Sequence, residues 1–112
     1  MSAETPLQRQ ILLKVGSRRD VRLWRINAGL FFTLTYRRVR SAPTGHSDLC
    51  GILMGGWLLA VETKSPTGRL TTTQAAFRDM VQTFGGCYIL ARTVKDVENG
   101  IHAFLKERLN PV

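Results

Sequence analysis

Asp48-Leu49-Cys50-Gly51-Ile52-Leu53-Met54-Gly55-Gly56-Trp57-Leu58-Leu59-Ala60-Val61-Glu62-Thr63-Lys64 reads as two apolar runs folded about a pair of glycines, the clearest hairpin in the chain. Both runs are apolar at nearly every position, the pattern of central strands covered on both sides. An acid opens the first run and an acid with a lysine closes the second, so the hairpin register decides whether they meet. A two-residue Gly-Gly loop pairs Met54 with Trp57 and Asp48 with Thr63, which puts Asp48 and Glu62 on opposite faces. A three-residue loop, Met54-Gly55-Gly56 with Gly56 left-handed, pairs Leu53 with Trp57 and sets Asp48 across from Glu62. Lys64 then shares the face of Glu62, and Thr63 points away.

Outward from the hairpin, alternation in Val21–Ile26 and the aromatic and β-branched content of Leu30–Tyr36 predict two strands joined by Asn27-Ala28-Gly29. Arg37-Arg38-Val39-Arg40 then runs into Ser41–His46, a loop by composition that leads to Asp48. On the N-terminal side, Leu7, Ile11 and Val15 recur at helical spacing after Thr5-Pro6 and predict a helix over about 4–15. Glu4 faces the core side if that helix includes it; if Thr5 is the cap, its direction is open. On the C-terminal side, a helix opens at Thr71 and carries Phe77, Met80, Val81 and Phe84 inward until Gly85-Gly86. Cys87–Ala91 is a short buried strand, and Thr93 with Asp96 caps a last helix bearing Val97, Ile101, Phe104 and Leu105. The order α-β-β-β-α-β-α, with room for an extra strand, predicts an α/β fold with helices flanking a mixed sheet, in which the strand after the middle helix joins in parallel.

The chain has 112 residues, which suits one domain over 1–112. No stretch approaches the roughly 18 apolar residues of a membrane span, and Met1-Ser2-Ala3-Glu4 does not start a signal peptide, so a cytoplasmic protein is expected. Cys50 and Cys87 sit in apolar segments without metal-ligand spacing and read as buried thiols. Sixteen basic against eight acidic residues give a net charge of +8, and twelve of the basic residues are arginine. The planar guanidinium fork suits phosphate, so the balance favours a polyanionic partner, nucleic acid above all. Arg18, Arg19 and Arg22, with Arg37, Arg38 and Arg40, form the expected phosphate-tracking surface.

A buried carboxylate must be neutralised, paired or given a cation. Asp48 and Glu62, with the backbone carbonyl of Thr63, offer hard oxygens to Mg2+, and Mn2+ suits the same ligands. Lys64 beside them is placed to orient a water and to offset charge on a phosphate under attack. The bland alternatives are a solvated Glu-x-Lys strand end and an Asp48 that serves the turn. Gln74 fits a capping box with Thr71; His46 reads as a loop histidine and Trp57 as core. A non-catalytic nucleic-acid-binding domain is the alternative from another class, and a structural subunit of a larger assembly a third.

The chain resembles a stand-alone VRR-NUC domain, a branch of the PD-(D/E)xK nucleases, over almost its whole length. The resemblance is carried by Glu4 and Gln8, Arg25–Gly29, Gly45-His46-Ser47-Asp48-Leu49, Glu62-Thr63-Lys64, Gly68-Arg69-Leu70 leading to Gln74, and Gly85-Gly86. It implies a restriction-endonuclease-like core, Asp48 and Glu62 as metal ligands and Lys64 as the catalytic lysine. Gln74 would support the lysine and water, and Glu4 would be an additional acid near the metal. Ser47 stands where the superfamily carries proline, a position that shapes the loop and does not ligate metal. The resemblance also implies pairing as a homodimer, like Holliday-junction resolvases, and metal-dependent cleavage of branched DNA, a four-way junction or a flap.

Overall fold

Two polar quartets with the same local chemistry start two of the helices. Thr5 and Gln8 form a capping box at helix α1 (Pro6–Lys14), and Thr71 and Gln74 form another at α2 (Thr72–Thr83). Thr93 and Asp96 exchange the equivalent bonds ahead of α3 (Val94–Leu109). In this computed structural model the described residues are 3–26, 30–32, 38–40 and 42–109, with the backbone alone for 30–32 and 38–40.

The strands are β1 (Val21–Arg25), β2 (Leu30–Phe32), β3 (Arg38–Arg40), β4 (Leu49–Leu53), β5 (Leu58–Thr63) and β6 (Cys87–Ala91). β1, β4, β5 and β6 form a four-stranded sheet in that order. The β1–β4 and β4–β5 pairs are antiparallel and β5–β6 is parallel, so the α/β fold with a mixed sheet agrees with the element order. β2 and β3 form a separate antiparallel ladder, Phe31 opposite Val39. The basic run was given no element of its own, and its Arg38-Val39-Arg40 supplies an extra strand, alternating around a β-branched residue, a pattern a ladder accommodates. The expected turn 27–29 and the rest of the strand to Tyr36 lie outside the described residues.

The hairpin takes the longer loop. Ile52 pairs with Leu58 and Leu49 with Val61, and the Leu53 amide donates to the Trp57 carbonyl at 2.9 Å. Gly55 and Gly56 hold φ of 104° and 95°, which residues with a Cβ rarely adopt. Extending that register one pair sets Asp48 opposite Glu62.

The two faces of the sheet differ. Val21, Leu49, Leu53, Leu59, Val61, Cys87, Ile89 and Ala91 on one face pack against Ile11, Val15, Val97, Ile101 and Phe104 of α1 and α3. On the other face α2 covers β5 and β6 alone, where Ala60 and Tyr88 meet Phe77 and Val81. Met80 and Phe84 were expected inside. They are 43% and 86% exposed, and they line an open cleft with Trp57 and Leu58 instead of a closed core. Ile52 and Leu58, on the strands expected to be covered twice, are likewise exposed on this face. Cys50 and Cys87 are free and buried, and burial raises both thiols, Cys87 to about 11. No helix among the described residues is long and apolar enough to cross a membrane.

Candidate active site

β4 and β5 part at the end of the sheet opposite the Gly-Gly loop, and Asp48 sits in the fork. Its backbone carbonyl still accepts from the Ile26 amide at 2.8 Å, continuing the β1 ladder. Toward β5 its side chain takes the place of a strand carbonyl: Oδ2 accepts from the Thr63 amide at 3.0 Å and from the Thr63 hydroxyl at 2.7 Å. The Lys64 amide turns to the Ala91 carbonyl of β6, so the Thr63 amide and carbonyl face the Asp48 side. Thr63 was expected to contribute through that carbonyl alone. Its hydroxyl is equally placed, donating to Asp48 and accepting from Gln8 Nε2 at 3.2 Å.

Glu62 is 3% exposed. Its Oε2 accepts from Gln74 Nε2 at 3.4 Å and lies 3.8 Å from Lys64 Nζ, whereas Oε1 is buried with no hydrogen-bond partner. Burial first, and then the negative charge of Asp48, pushes the Glu62 carboxyl up to about 8, against partial relief from the Lys64 ammonium. A buried carboxylate with an orphan oxygen is costly, and a cation supplied from outside relieves both the charge and the vacant lone pair.

The two readings of Gln74 hold together. Its carbonyl accepts from the Thr71 amide at 3.0 Å, completing the cap, and its amide reaches Glu62. Gln8 repeats this arrangement, its carbonyl on the Thr5 amide and its amide on Thr63. The capping pattern Thr5-Pro6-Leu7-Gln8, the same spacing as Thr71–Gln74, is the sequence feature that marks Gln8. Arg92 was not singled out: its guanidinium donates to the carbonyls of Ser65 and Gly68 and pins the loop that follows Lys64. That loop and Lys64 border a cleft of about 400 Å³ with Leu7 and Arg92 in its walls.

The approach to Asp48 is shaped by Gly45 and Ser47. Gly45 holds φ 81°, and a Cβ there would collide with the Thr73 carbonyl, so the loop lies close against the first turn of α2. Ser47 is fully buried and donates to the Leu49 carbonyl at 2.7 Å, fixing the chain's entry into β4. His46 packs its ring 4.5 Å from Phe77, and Trp57 packs edge-on to Phe104, as a loop histidine and a core tryptophan should. The Tyr88 hydroxyl is buried without a partner, and burial, then the charge of Glu62, raises its pKa.

Other expected residues lie apart. Thr5 is the cap, which leaves Glu4 outside the helix, in an ion pair with Arg9 at 3.1 Å. Among the described residues no three His, Cys, Asp or Glu side chains converge, so Glu4 adds no third carboxylate to the pair. Arg18 is held in a two-bond contact with Asp20 at 2.7 and 3.0 Å, and Arg22 donates to the carbonyls of Arg18 and Val21. With exposed Arg19 they flank the hairpin tip, where Val21 pairs with Leu53. At about 3.4 Å per residue that is roughly 17 Å along the strand from Asp48. Arg37 lies outside the described residues, as do the side chains of Arg38 and Arg40.

Comparison with protein-family models, with curated proteins and with solved structures found no match for this chain.

Proposed function

We propose that the chain is a metal-dependent endonuclease with a restriction-endonuclease-like core, hydrolysing phosphodiester bonds of DNA, with branched DNA as its substrate class. The observation that carries this reading is Glu62: a buried carboxylate with one unpartnered oxygen, beside a second carboxylate and a lysine. Asp48, Glu62 and the Thr63 carbonyl would hold Mg2+, or Mn2+ in its place, an oxygen-only set of small size that suits an ion retaining several waters. Bound there, the ion supplies positive charge to the scissile phosphate and acidity to an attacking water. Lys64, 18% exposed with its ammonium 3.8 Å from Glu62, would orient the water and offset the charge developing on the phosphate oxygens. Gln74 positions Glu62, and Thr63 with Gln8 positions Asp48. The excess of basic residues supplies the sequence-independent attraction to the backbone. A homodimer would set two such sites on two strands.

The test is cleavage of a labelled four-way junction beside flap, duplex and single-stranded controls, with magnesium, manganese or chelator. Metal-dependent products are expected, reduced at least about 100-fold in Lys64→Ala with binding retained. Tight binding with no cleavage of any substrate would replace this reading by the non-catalytic binding domain. Paired symmetric cuts and a dimer in sedimentation are the expected signs of the two-site arrangement; a monomer at working concentration would remove the junction preference.

A further inference from the structure

The half of the α2 face that no helix among the described residues covers is not blank. Arg22 and Trp24 of β1 point to this face, the same one as Glu62 and Lys64, because side chains alternate and Trp24 pairs with Cys50, Cys50 with Ala60. Trp24 is 50% exposed, in contrast to Trp57 packed on Phe104. Asp48 is two residues along β4 from Cys50, so Trp24 is its diagonal neighbour across the β1–β4 ladder, a separation of about 7–8 Å between backbones. An indole at that distance reaches the ground immediately beside the carboxylate pair.

We propose that Trp24 is a stacking platform for an unpaired nucleobase, seating a single-stranded nucleotide of the substrate against the sheet next to Asp48. The inference rests on the nucleic-acid reading of this site and sharpens it: the strand entering the site is locally unpaired, as at a flap or the crossover of a junction. Two observations choose this occupant. The platform is continuous with the carboxylate site through one strand register, and Arg22 two residues before it, whose guanidinium is held by the Arg18 and Val21 carbonyls, places positive charge on the hairpin-tip side of the indole in a chain of net charge +8, which complements a phosphodiester backbone. An indole between a cation and a phosphate-cleaving site is the arrangement that holds single strands, since every base offers a π-face. A duplex cannot use it without unstacking.

The experiment uses a Trp57→Phe protein, in which Trp24 is the only tryptophan. It is titrated with a short oligothymidylate and with a blunt duplex, in chelator so that nothing is cut. Indole emission is expected to be quenched by the single strand and little by the duplex. Trp24→Ala should weaken single-strand binding, read by anisotropy of the labelled oligonucleotide, by about 5- to 150-fold, with Trp24→Phe retaining most of it. Unquenched emission, or equal binding by the alanine variant, overturns the proposal. So does a Trp24→Ala protein that changes from dimer to monomer in sedimentation without nucleic acid, which would assign the face to a second copy. The nuclease reading fails separately: quenching with no cleavage keeps the platform and removes the enzyme, and junction cleavage without quenching does the reverse.

Discussion

One face of the sheet is closed by α1 and α3, and the other is covered by α2 only as far as β5 and β6. The closed face buries Leu49, Leu59, Val61 and Ile101 completely, and Glu62, the one buried carboxylate among the described residues, does not lie on it. The half-covered face holds Glu62, Lys64 and, at its fork, Asp48, and leaves Ile52 and Leu58 exposed. The apolar packing is therefore concentrated on one side of the sheet and the charged groups on the other. Glu62 is nevertheless as buried as the core, under the first turn of α2, and burial keeps its carboxyl well above the ordinary range.

The largest expected effect tests that division directly. Ile101→Ala removes a fully buried side chain from the closed face and should cost about 2–5 kcal/mol in urea denaturation. Ile52→Ala, on the open face of a strand just as apolar in sequence, should cost less than about 1 kcal/mol. Equal losses would show the open face to be covered in solution.

A somewhat smaller effect distinguishes the faces by pH. The Glu62 carboxyl titrates at about 8 in the folded chain against an ordinary 4.5, so the folded state holds a proton that the unfolded state releases. Its contribution is complete below about pH 4.5 and is lost as pH rises toward 8. Glu62→Gln should remove that slope and be more stable than the parent at pH 8 by about 1–3 kcal/mol, measured by denaturation at several pH values. On the proposed function, magnesium binding at pH 7 displaces the same proton. Calorimetry in buffers of different ionisation enthalpy should record close to one proton released per ion, and none in the Gln variant.

Much of this arrangement was legible in the sequence. The residues Met54-Gly55-Gly56 allowed the three-residue loop, and a site shared by the two acids called for that loop or a bulge; the observed pairing of Ile52 with Leu58 is that of the longer loop. The capping threonines and the stripe Val97, Ile101, Phe104 were plain for the same reason: each depends on neighbours in sequence. What sequence did not give depends on how far an element reaches. Apolar β4 and β5 read as doubly covered, and Met80 and Phe84 as core, because periodicity marks an apolar face without saying whether anything lies opposite it. Arg18 read as free for phosphate because its partner Asp20, two residues on, engages it only once the turn has folded. The Thr63 hydroxyl was passed over because alternation aims it away from Glu62, while Asp48, at the fork, reaches around the strand edge to meet it.

The two capping glutamines allow the finest test, since Gln74 holds Glu62 directly and Gln8 holds Asp48 through the Thr63 hydroxyl. Glutamate also serves a capping box, so Gln8→Glu and Gln74→Glu should both keep their helices and lose only the amide donor. At position 8 the new carboxylate faces the Thr63 hydroxyl, whose single proton already goes to Asp48, and two acceptors then compete for it. The expected loss is about 1 kcal/mol and unchanged from pH 6 to 9. At position 74 the new carboxylate faces Glu62, which below about pH 8 carries a proton and can donate it. Gln74→Glu should therefore cost little at pH 6 and about 1 kcal/mol or more at pH 9, where two like charges face each other across a buried contact. Denaturation curves at the two pH values separate the pair; a pH-independent Gln74→Glu would mean that Glu62 is already ionised at pH 6, and the contrast between the satisfied Asp48 and the strained Glu62 would fall with it.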